Sequence, residues 1–160
     1  MTPKTKQQLF LDCDGVLADF DALAGEILGM HPRVYEERYG SGRFWTRLRQ
    51  HGSFYRDLPL MADARELFDS VAHLNPVILT GCPMGGWAEA QKMAWAKKHF
   101  PGTRMITCAS RDKSRYMRPR DVLVDDYLKY KHLWEQAGGV FVHHKSAKES
   151  LASLQEHGIL

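Results

Sequence analysis

The sequence predicts an α/β fold, in which a doubly wound, parallel five-stranded sheet carries a small helical cap inserted after strand one. Five short apolar runs are spaced along the chain, and patterns typical of helices separate them. Short apolar runs that alternate with helices are typical of parallel strands covered on both faces. One interval between runs is far longer than a crossover helix needs, which indicates an insertion there.

The strand candidates and the helices between them follow from hydrophobic spacing. The apolar runs lie at residues 9–13, 77–80, 105–108, 122–124 and 140–142. Helical spacing is found in three sets of apolar residues, namely Phe20, Leu23, Ala24, Ile27 and Leu28; Ala64, Leu67, Phe68, Val71 and Ala72; and Tyr130, Leu133, Trp134 and Ala137. Asp63 with Glu66 is spaced as a capping box, and Ser146 with Glu149 is spaced to cap a last helix.

The long interval lies between the first two strands, which are about 60 residues apart, far more than a βα crossover requires. Its segment 32–59 contains "RVYEERYG", "GRFWTRLRQ" and "GSFYRDLPL", and is aromatic, basic and broken by glycines. We interpret this segment as a small helical insertion beside the carboxyl ends of the strands, where ligands bind in such sheets.

Composition narrows the class of protein. A chain of 160 residues suits one domain, and a formal net charge of +3 suits a phosphorylated small molecule but does not argue for nucleic acid. No run is long enough to cross a bilayer, so no membrane partner is expected. The three cysteines do not have the spacing of metal ligands, and the N-terminal residues "MTPKTKQQ" are polar and do not resemble a secretory signal. Together these two observations predict reduced thiols in a cytoplasmic protein. The oligomeric state is open, and a homodimer is compatible with the sequence.

The stretch "LFLDCDGVLADF" at residues 9–20 places two carboxylates at the end of the first apolar run. Asp12 and Asp14 are two residues apart, so in an extended chain their side chains point the same way. Gly15 then permits a tight turn. Taken alone, this pattern fits a ligand site and an ordinary Asp-Gly turn equally well.

Three further motifs favour a site. "VILTG" ends strand two with Thr80 and Gly81, "SRDKSR" puts Lys113 after strand three, and "VLVDD" ends strand four with Asp125 and Asp126. If strands one, two and four are neighbours, these groups meet the first aspartate pair at one sheet edge. Two acidic pairs would repel each other unless a divalent cation lay between them, and oxygen ligands favour Mg²⁺. A hydroxyl, backbone amides and a lysine facing that cation describe a phosphate site.

The order D-x-D-G-V, hhhT-G, Lys and hhhDD resembles the haloacid dehalogenase-like (HAD) superfamily of aspartate-nucleophile phosphotransferases. Within that superfamily, the chain is similar to the 5'(3')-deoxyribonucleotidases (5' nucleotidase, deoxy, cytosolic type C) and their bacterial relatives. This likeness rests on "DGVLADF", the Phe44-Trp45 pair, "GSFYRDLPL", the "RDK" that ends at Lys113, and "VLVDD". The resemblance implies a HAD-like Rossmannoid core formed by residues 1–18 and 60–160, with residues 19–59 as the cap.

The resemblance also implies a mechanism of phosphate ester hydrolysis. Asp12 would attack phosphorus and form an aspartyl-phosphate. Asp14 would protonate the leaving alkoxide and then deprotonate the hydrolytic water. Mg²⁺ would be held by Asp12, the backbone carbonyl of Asp14, and Asp126, with Asp125 acting directly or through water. A dehalogenase would not need Asp14, because it has no alkoxide to protonate.

Phosphate binding and substrate choice follow from the same resemblance. Thr80, the Gly81 amide and Lys113 would bind the phosphoryl oxygens, with Arg111 beside them. Five aromatic residues at the cap could contact a nucleobase, or could form the core of the cap. They are Phe20, Phe44, Trp45, Phe54 and Tyr55.

The loop after strand two, "TGCPMGGW", departs from the Ser-Pro sequence and nearby lysine of the eukaryotic nucleotidases. Substrate preference therefore stays open between nucleoside monophosphates and other small phosphorylated metabolites. Lys92 could replace the missing charge, but a solvated lysine on a helix is the expectation we adopt. Cys13 is expected to be buried, and the His143-His144 pair is expected to lie on the surface.

The leading hypothesis is a Mg²⁺-dependent phosphomonoesterase that acts on a nucleoside monophosphate. A phosphatase for a sugar phosphate is the alternative within the same class. A non-catalytic binding protein, using its cap or its basic loop, is the alternative in another class. A phosphorylated receiver domain fits poorly, because its phosphorylated aspartate ends the third strand rather than the first.

Overall fold

The computed structural model describes residues 6–160 and is built around a five-stranded parallel sheet with the strand order β3-β2-β1-β4-β5. The strands are β1 Leu9–Leu11, β2 Val77–Gly81, β3 Met105–Cys108, β4 Val122–Asp125 and β5 Val140–His143. β1 lies between β2 and β4, as the sequence motifs require. The predicted α/β class is confirmed.

Seven helices surround the sheet within the described residues. They are α1 Phe20–Leu28, α2 Pro32–Tyr39, α3 Ser41–Gln50, α4 Ala64–Val71, α5 Glu89–His99, α6 Lys131–Gln136 and α7 Ala147–Glu156, with 3₁₀ helices at Ala72–Leu74 and Ser110–Tyr116. α1, α2 and α3 follow one another between β1 and β2, and each packs against the other two. These three helices form a small layer of their own after the first strand.

The sheet is buried on both faces, which explains why its strands read as continuous apolar runs. Leu9 and Leu11 of β1 face the larger core, which extends under α4 and α7. Phe10 faces the opposite side and packs edge-on against Trp134 of α6, with ring centroids 5.6 Å apart. Because the side chains of β1 point alternately to the two faces of the sheet, this central strand packs against the helical layers on both sides.

One of the two predicted caps is confirmed and the other is wrong. The Ser146 hydroxyl accepts a hydrogen bond from the Glu149 amide at 3.1 Å and caps α7, as predicted. Asp63 precedes α4 but makes no side-chain cap there. Its carboxylate instead accepts from the Ala147 amide at 2.7 Å, because the start of α7 lies close by and offers a free donor. A tertiary contact has replaced the local capping box.

The histidine pair after β5 divides between core and surface. His143 is exposed, as expected, but His144 is buried and its Nδ1 lies 2.7 Å from the Ser150 hydroxyl of α7. Cys13 is buried, as predicted. Across residues 6–160 no helix combines the length and the apolar character that crossing a membrane would require.

Candidate active site

The loop that follows β1 places two aspartates at the carboxyl edge of the sheet. β1 ends at Leu11, two residues earlier than predicted, and the Asp12 amide still donates to Val124 of β4 at 2.9 Å. The chain then turns, because the Cys13 carbonyl accepts hydrogen bonds from residues further along the loop. Asp12 and Asp14 both line the same cavity. The turn, rather than an extended strand, brings them together.

Gly15 is the residue that makes this turn compatible with the second acidic pair. Its φ is +81°, in the left-handed region that favours glycine. A Cβ at this position would lie 2.1 Å from Oδ2 of Asp126 and 2.6 Å from its Cγ. The backbone therefore passes directly against the Asp126 carboxylate and helps to fix its position.

Replacing Gly15 by Ala is expected to displace the Asp126 carboxylate and weaken Mg²⁺ binding by about tenfold, since it forces a steric clash beside a proposed ligand. Calorimetric titration with Mg²⁺ measures this. Gly29→Ala is the matched control, because Gly29 has a similar φ of +75° but open space around its Cβ position. Equal Mg²⁺ affinity in the two variants would contradict the role given to Gly15.

Lys113 is the cation at the centre of the acidic cluster. It is 8% exposed, and its Nζ lies 2.9 Å from Oδ1 of Asp12 and 2.8 Å from Oδ2 of Asp125. The other Asp125 oxygen, Oδ1, accepts from the Tyr127 amide at 3.0 Å. Both oxygens of Asp125 are thus engaged by the protein, whereas Asp12 has one oxygen bonded to the lysine.

The electrostatics separate the three carboxyl groups. Burial opposes ionisation of Asp12, but the charge of Lys113, the hydrogen bonds from Asp125 and Lys113, and the charge of Lys92 together hold the Asp12 pKa below its usual value. Burial, then the charge of Asp12, raises the pKa of Asp125 to about 7. Desolvation of the Asp126 carboxyl group, then the same Asp12 charge, raises the pKa of Asp126 to about 8. Asp12 is therefore the most acidic member of the cluster.

These carboxylates fit a Mg²⁺ ion. Asp12, Asp125 and Asp126 each offer an oxygen, and the three oxygens lie within 4.8 Å of one another. Octahedral Mg²⁺ places neighbouring ligand oxygens about 3 Å apart and opposite ones about 4 Å apart. Asp12 and Asp126 are the better direct ligands, because Lys113 and the Tyr127 amide already occupy the oxygens of Asp125.

Mg²⁺ affinity is expected to rise with pH between about 6 and 9. The pKa of Asp126, a proposed direct ligand, is raised to about 8 and that of its neighbour Asp125 to about 7, so below those values Mg²⁺ competes with a proton on the ligand and loses the charge of the neighbour. Each displaced proton costs about tenfold in affinity per pH unit below its pKa. Calorimetry in buffers of different ionisation enthalpy measures the protons released on binding. An affinity that does not change with pH would contradict the assigned shifts.

A second ion pair lies beside the first. Lys92 of α5 is 1% exposed, and its Nζ contacts Oδ2 of Asp14 at 2.7 Å, the Thr80 hydroxyl at 2.7 Å and the Gly81 carbonyl at 2.9 Å. The expectation of a solvated lysine is wrong. It overlooked that Lys92 shares the buried face of α5 with Trp95. Burial opposes the charge of Lys92, but the charge and hydrogen bond of Asp14, with contributions from Cys13 and Cys82, together raise the Lys92 pKa.

A cavity of about 360 Å³ opens at this edge of the sheet. The predicted site residues that line it are Asp12, Asp14, Gly81, Lys113 and Asp126, together with Phe20, Phe44, Trp45 and Tyr55. Thr80 and Asp125 are buried and do not line it; they lie behind the wall, bonded to the two lysines. The structure therefore brings the motif residues together in two layers, one facing the cavity and one supporting it.

Arg111, like Thr80, is a predicted phosphate ligand that does not line the cavity. Arg111 is exposed and lines a smaller neighbouring depression, which shares Ser110, Lys113 and Tyr127 with the cavity. The reason is local, because residues 110–116 form a 3₁₀ helix with about three residues per turn. Arg111 and Lys113, two residues apart, cannot project in the same direction from such a helix.

The cap aromatics pack mainly on one another. Phe20 is the hub, with ring centroids 6.3 Å from Phe44, 6.2 Å from Trp45 and 6.2 Å from Tyr55. Phe44 and Tyr55 are buried, whereas Phe20 and Trp45 keep part of their surface open to the cavity. The apolar wall that a ligand would meet is therefore formed chiefly by Phe20 and Trp45.

Sequence reasoning missed other cavity residues. Arg33 and Glu36 of α2, together with Ser110 and Tyr127, also line the cavity. Ser110 begins the stretch "SRDKSR", but no chemistry was assigned to it or to the other three residues. Lys92, in contrast, could have been found, because Ala88, Lys92, Trp95 and Ala96 have the spacing of one helix face.

A scan against protein-family models and a search of the curated proteins gave no match. Among solved structures, a hydrolase from Streptococcus pneumoniae TIGR4 aligns with a TM-score of 0.58 at 11% identity, covering 98% of this chain and 100% of that one. A hydrolase from Pseudomonas syringae gives a TM-score of 0.51 at 14% identity, with coverage of 94% and 98%. A HAD hydrolase, family IA, variant 3, from Entamoeba histolytica HM-1:IMSS gives 0.47 at 14% identity, with coverage of 84% and 82%. The first two show that the fold is shared with hydrolases of known structure.

Proposed function

We propose that this chain is a Mg²⁺-dependent phosphomonoesterase of the HAD type that works through an aspartyl-phosphate. One observation carries the proposal. A buried carboxylate, Asp12, lines the cavity as part of a cluster of three carboxylates that could hold a divalent cation, and its pKa is lowered by Lys113 and other neighbours. An ionised carboxylate with an unoccupied oxygen is suited to nucleophilic attack, and its neighbours are suited to bind an anion.

In the first step, an oxygen of Asp12 attacks phosphorus and forms a new P–O bond. The bond from phosphorus to the leaving group breaks, and its electron pair stays on the leaving oxygen. Asp14 gives its proton to that oxygen. Burial, with a further contribution from the Asp12 charge, raises the pKa of Asp14, which favours a group that can hold a proton. Lys113 and the Gly81 amide stabilise the charge on the phosphoryl oxygens.

In the second step, Asp14 takes a proton from water, whose oxygen attacks phosphorus. The P–O bond to Asp12 breaks, its electrons return to the carboxylate, and inorganic phosphate is released. A Mg²⁺ ion held by Asp12, Asp126 and the Asp14 carbonyl would neutralise phosphoryl charge in both steps. Buried Thr80 and Asp125 would support the residues that touch the substrate.

For the substrate, we propose a nucleoside monophosphate, and a deoxyribonucleotide in keeping with the sequence resemblance. The observation that favours it is the apolar wall of Phe20 and Trp45, which lines the same cavity as the aspartates. Stacking of a base on an aromatic ring contributes about 1–3 kcal/mol. A phosphatase for sugar phosphates would use the same aspartates and phosphate-binding groups, but its substrate has no base to stack on Phe20 or Trp45.

Phosphate release from a panel of monophosphates tests both parts. The panel contains 5'- and 3'-nucleotides, deoxynucleotides, sugar phosphates and an aryl phosphate, each with Mg²⁺ and with chelator. Turnover that requires Mg²⁺ supports the chemistry, and a tenfold nucleotide preference, about 1.4 kcal/mol, supports stacking. A preference for sugar phosphates would reassign the substrate. No turnover of any ester would favour the non-catalytic binding protein.

A further inference from the structure

The buried lysine of α5 is the strongest feature that the proposed chemistry leaves unused. Lys92 lies 2.7 Å from Oδ2 of Asp14 and is almost completely shielded from water. A lysine ammonium has three donors, and here each has its own acceptor, in Asp14, Thr80 and Gly81. Lys92 is not one of the residues that line the cavity. It has no donor left for a substrate, so a phosphate-binding role does not fit.

The two oxygens of Asp14 are in different situations. Oδ2 is held by Lys92, whereas Oδ1 is buried and makes no hydrogen bond to any described residue. An unpaired buried carboxylate oxygen is costly and calls for a structural or functional explanation. The Asp14 side chain as a whole is 25% exposed and lines the cavity, so its carboxyl group is within reach of the leaving group of a phosphate ester.

Lys92 is itself held in place by the segment that returns from the three-helix layer. Its Nζ lies 4.4 Å from the centroid of the Tyr55 ring, a cation–π contact. On either side of it along α5, the Gln91 side chain accepts from the Tyr55 amide at 2.9 Å, and the Trp95 indole donates to the Leu58 carbonyl at 2.8 Å. This segment and α5 therefore form one rigid support behind Asp14.

We propose that Lys92 is a positioning residue: it binds Oδ2 of Asp14 and so holds this carboxyl group in one orientation at the cavity wall, towards the leaving group. This inference rests on the proposed phosphomonoesterase function. In the first step, the proton on the Asp14 carboxyl group passes to the leaving oxygen as the P–O bond breaks and the electron pair remains on that oxygen. Without Lys92 the carboxyl group of Asp14 would be free to rotate, and it would occupy several orientations instead of one.

Leaving-group dependence tests the proposal. An alkyl phosphate needs a proton on its leaving oxygen, whereas para-nitrophenolate leaves readily without one. Lys92→Met is expected to lower kcat/KM for an alkyl phosphate by about 100-fold, but for para-nitrophenyl phosphate by less than about tenfold. kcat/KM is the right quantity, because it excludes the later hydrolysis of the aspartyl-phosphate, which is common to both substrates. The ratio of the two values is unaffected by the fraction of protein that is folded.

The controls separate positioning from general support. Lys97→Met changes an exposed lysine of the same helix and should leave the ratio unchanged. Asp14→Asn should show the same leaving-group dependence as Lys92→Met, and the double variant should lose no more than Asp14→Asn alone. If Lys92→Met does not fold, Lys92→Gln, which retains a donor for Thr80, is measured in the same way.

Two results would overturn the inference. Equal losses of kcat/KM for the alkyl and the aryl phosphate would mean that Lys92 only stabilises the fold. Additive losses in the double variant would mean that Lys92 acts independently of Asp14. Failure of the proposed function is recognisable separately, because the unmodified protein would then hydrolyse neither ester.

Discussion

Replacing Asp12 by Asn is expected to abolish phosphate release, with a loss in kcat of at least about 10⁴-fold. The amide has nearly the shape of the carboxylate but cannot attack phosphorus or accept the phosphoryl group. Loss of the nucleophile therefore removes the step on which every later one depends. Steady-state assays with Mg²⁺ and an aryl phosphate give the residual rate.

A matched control variant shows whether the loss of activity is specific to Asp12 and is not caused by unfolding. Asp69→Asn changes an exposed aspartate on α4, far from the cavity in the fold, and should leave activity unchanged. Circular dichroism shows whether the Asp12 variant keeps its helices and sheet. A folded Asp12→Asn protein that retains more than a tenth of the activity would rule out Asp12 as the nucleophile.

Replacing Lys113 by Met is expected to have the largest effect on stability as well as a large effect on activity. Lys113 and its partners Asp12 and Asp125 have side chains no more than 10% exposed. Removing one member of such a buried network lowers the free energy of unfolding by about 3–5 kcal/mol. Activity should fall as well, because Asp12 loses the charge that keeps it ionised and the phosphoryl group loses its cation.

The loss of stability in Lys113→Met should depend on pH in a stated direction. Without the lysine, the native state holds protons on Asp12 and Asp125 more tightly than the unfolded chain does. The free energy of unfolding must then fall as pH rises. Denaturant titrations at several pH values measure this, with the exposed Lys145→Met as the control. A variant as stable as the control at every pH would contradict the description of Lys113 as the centre of the cluster.

Several of the site residues that the sequence predicted depend on the ends of strands. Asp12, Thr80 and Asp125 are each placed by a strand whose apolar run is easy to recognise, and parallel strands share one carboxyl edge. Once β1 lies between β2 and β4, the meeting of these groups follows. These residues are far apart in the chain, but the pairing of the strands in the sheet brings them close together.

The parts that sequence did not predict depend on how helices face the sheet. Lys92 was assigned to solvent because lysine usually lies there, although its helix face also carries Trp95. Asp63 was assigned to its own helix, but the neighbouring α7 offers a closer donor. Arg111 was grouped with Lys113 because the two are close in the chain, but in the 3₁₀ helix their side chains point in different directions. In each case tertiary packing or local backbone geometry outweighed the usual preference of the residue.

The most direct test of the account is to trap the phosphorylated protein. Asp14→Asn, mixed with Mg²⁺ and an aryl phosphate that needs no protonation to leave, should form the aspartyl-phosphate but hydrolyse it slowly. Acid quenching followed by peptide mass mapping locates the phosphoryl group. The account predicts one phosphoryl group on Asp12, and none when Asp12→Asn is added. A phosphoryl group on another residue, or turnover without any covalent species, would contradict it.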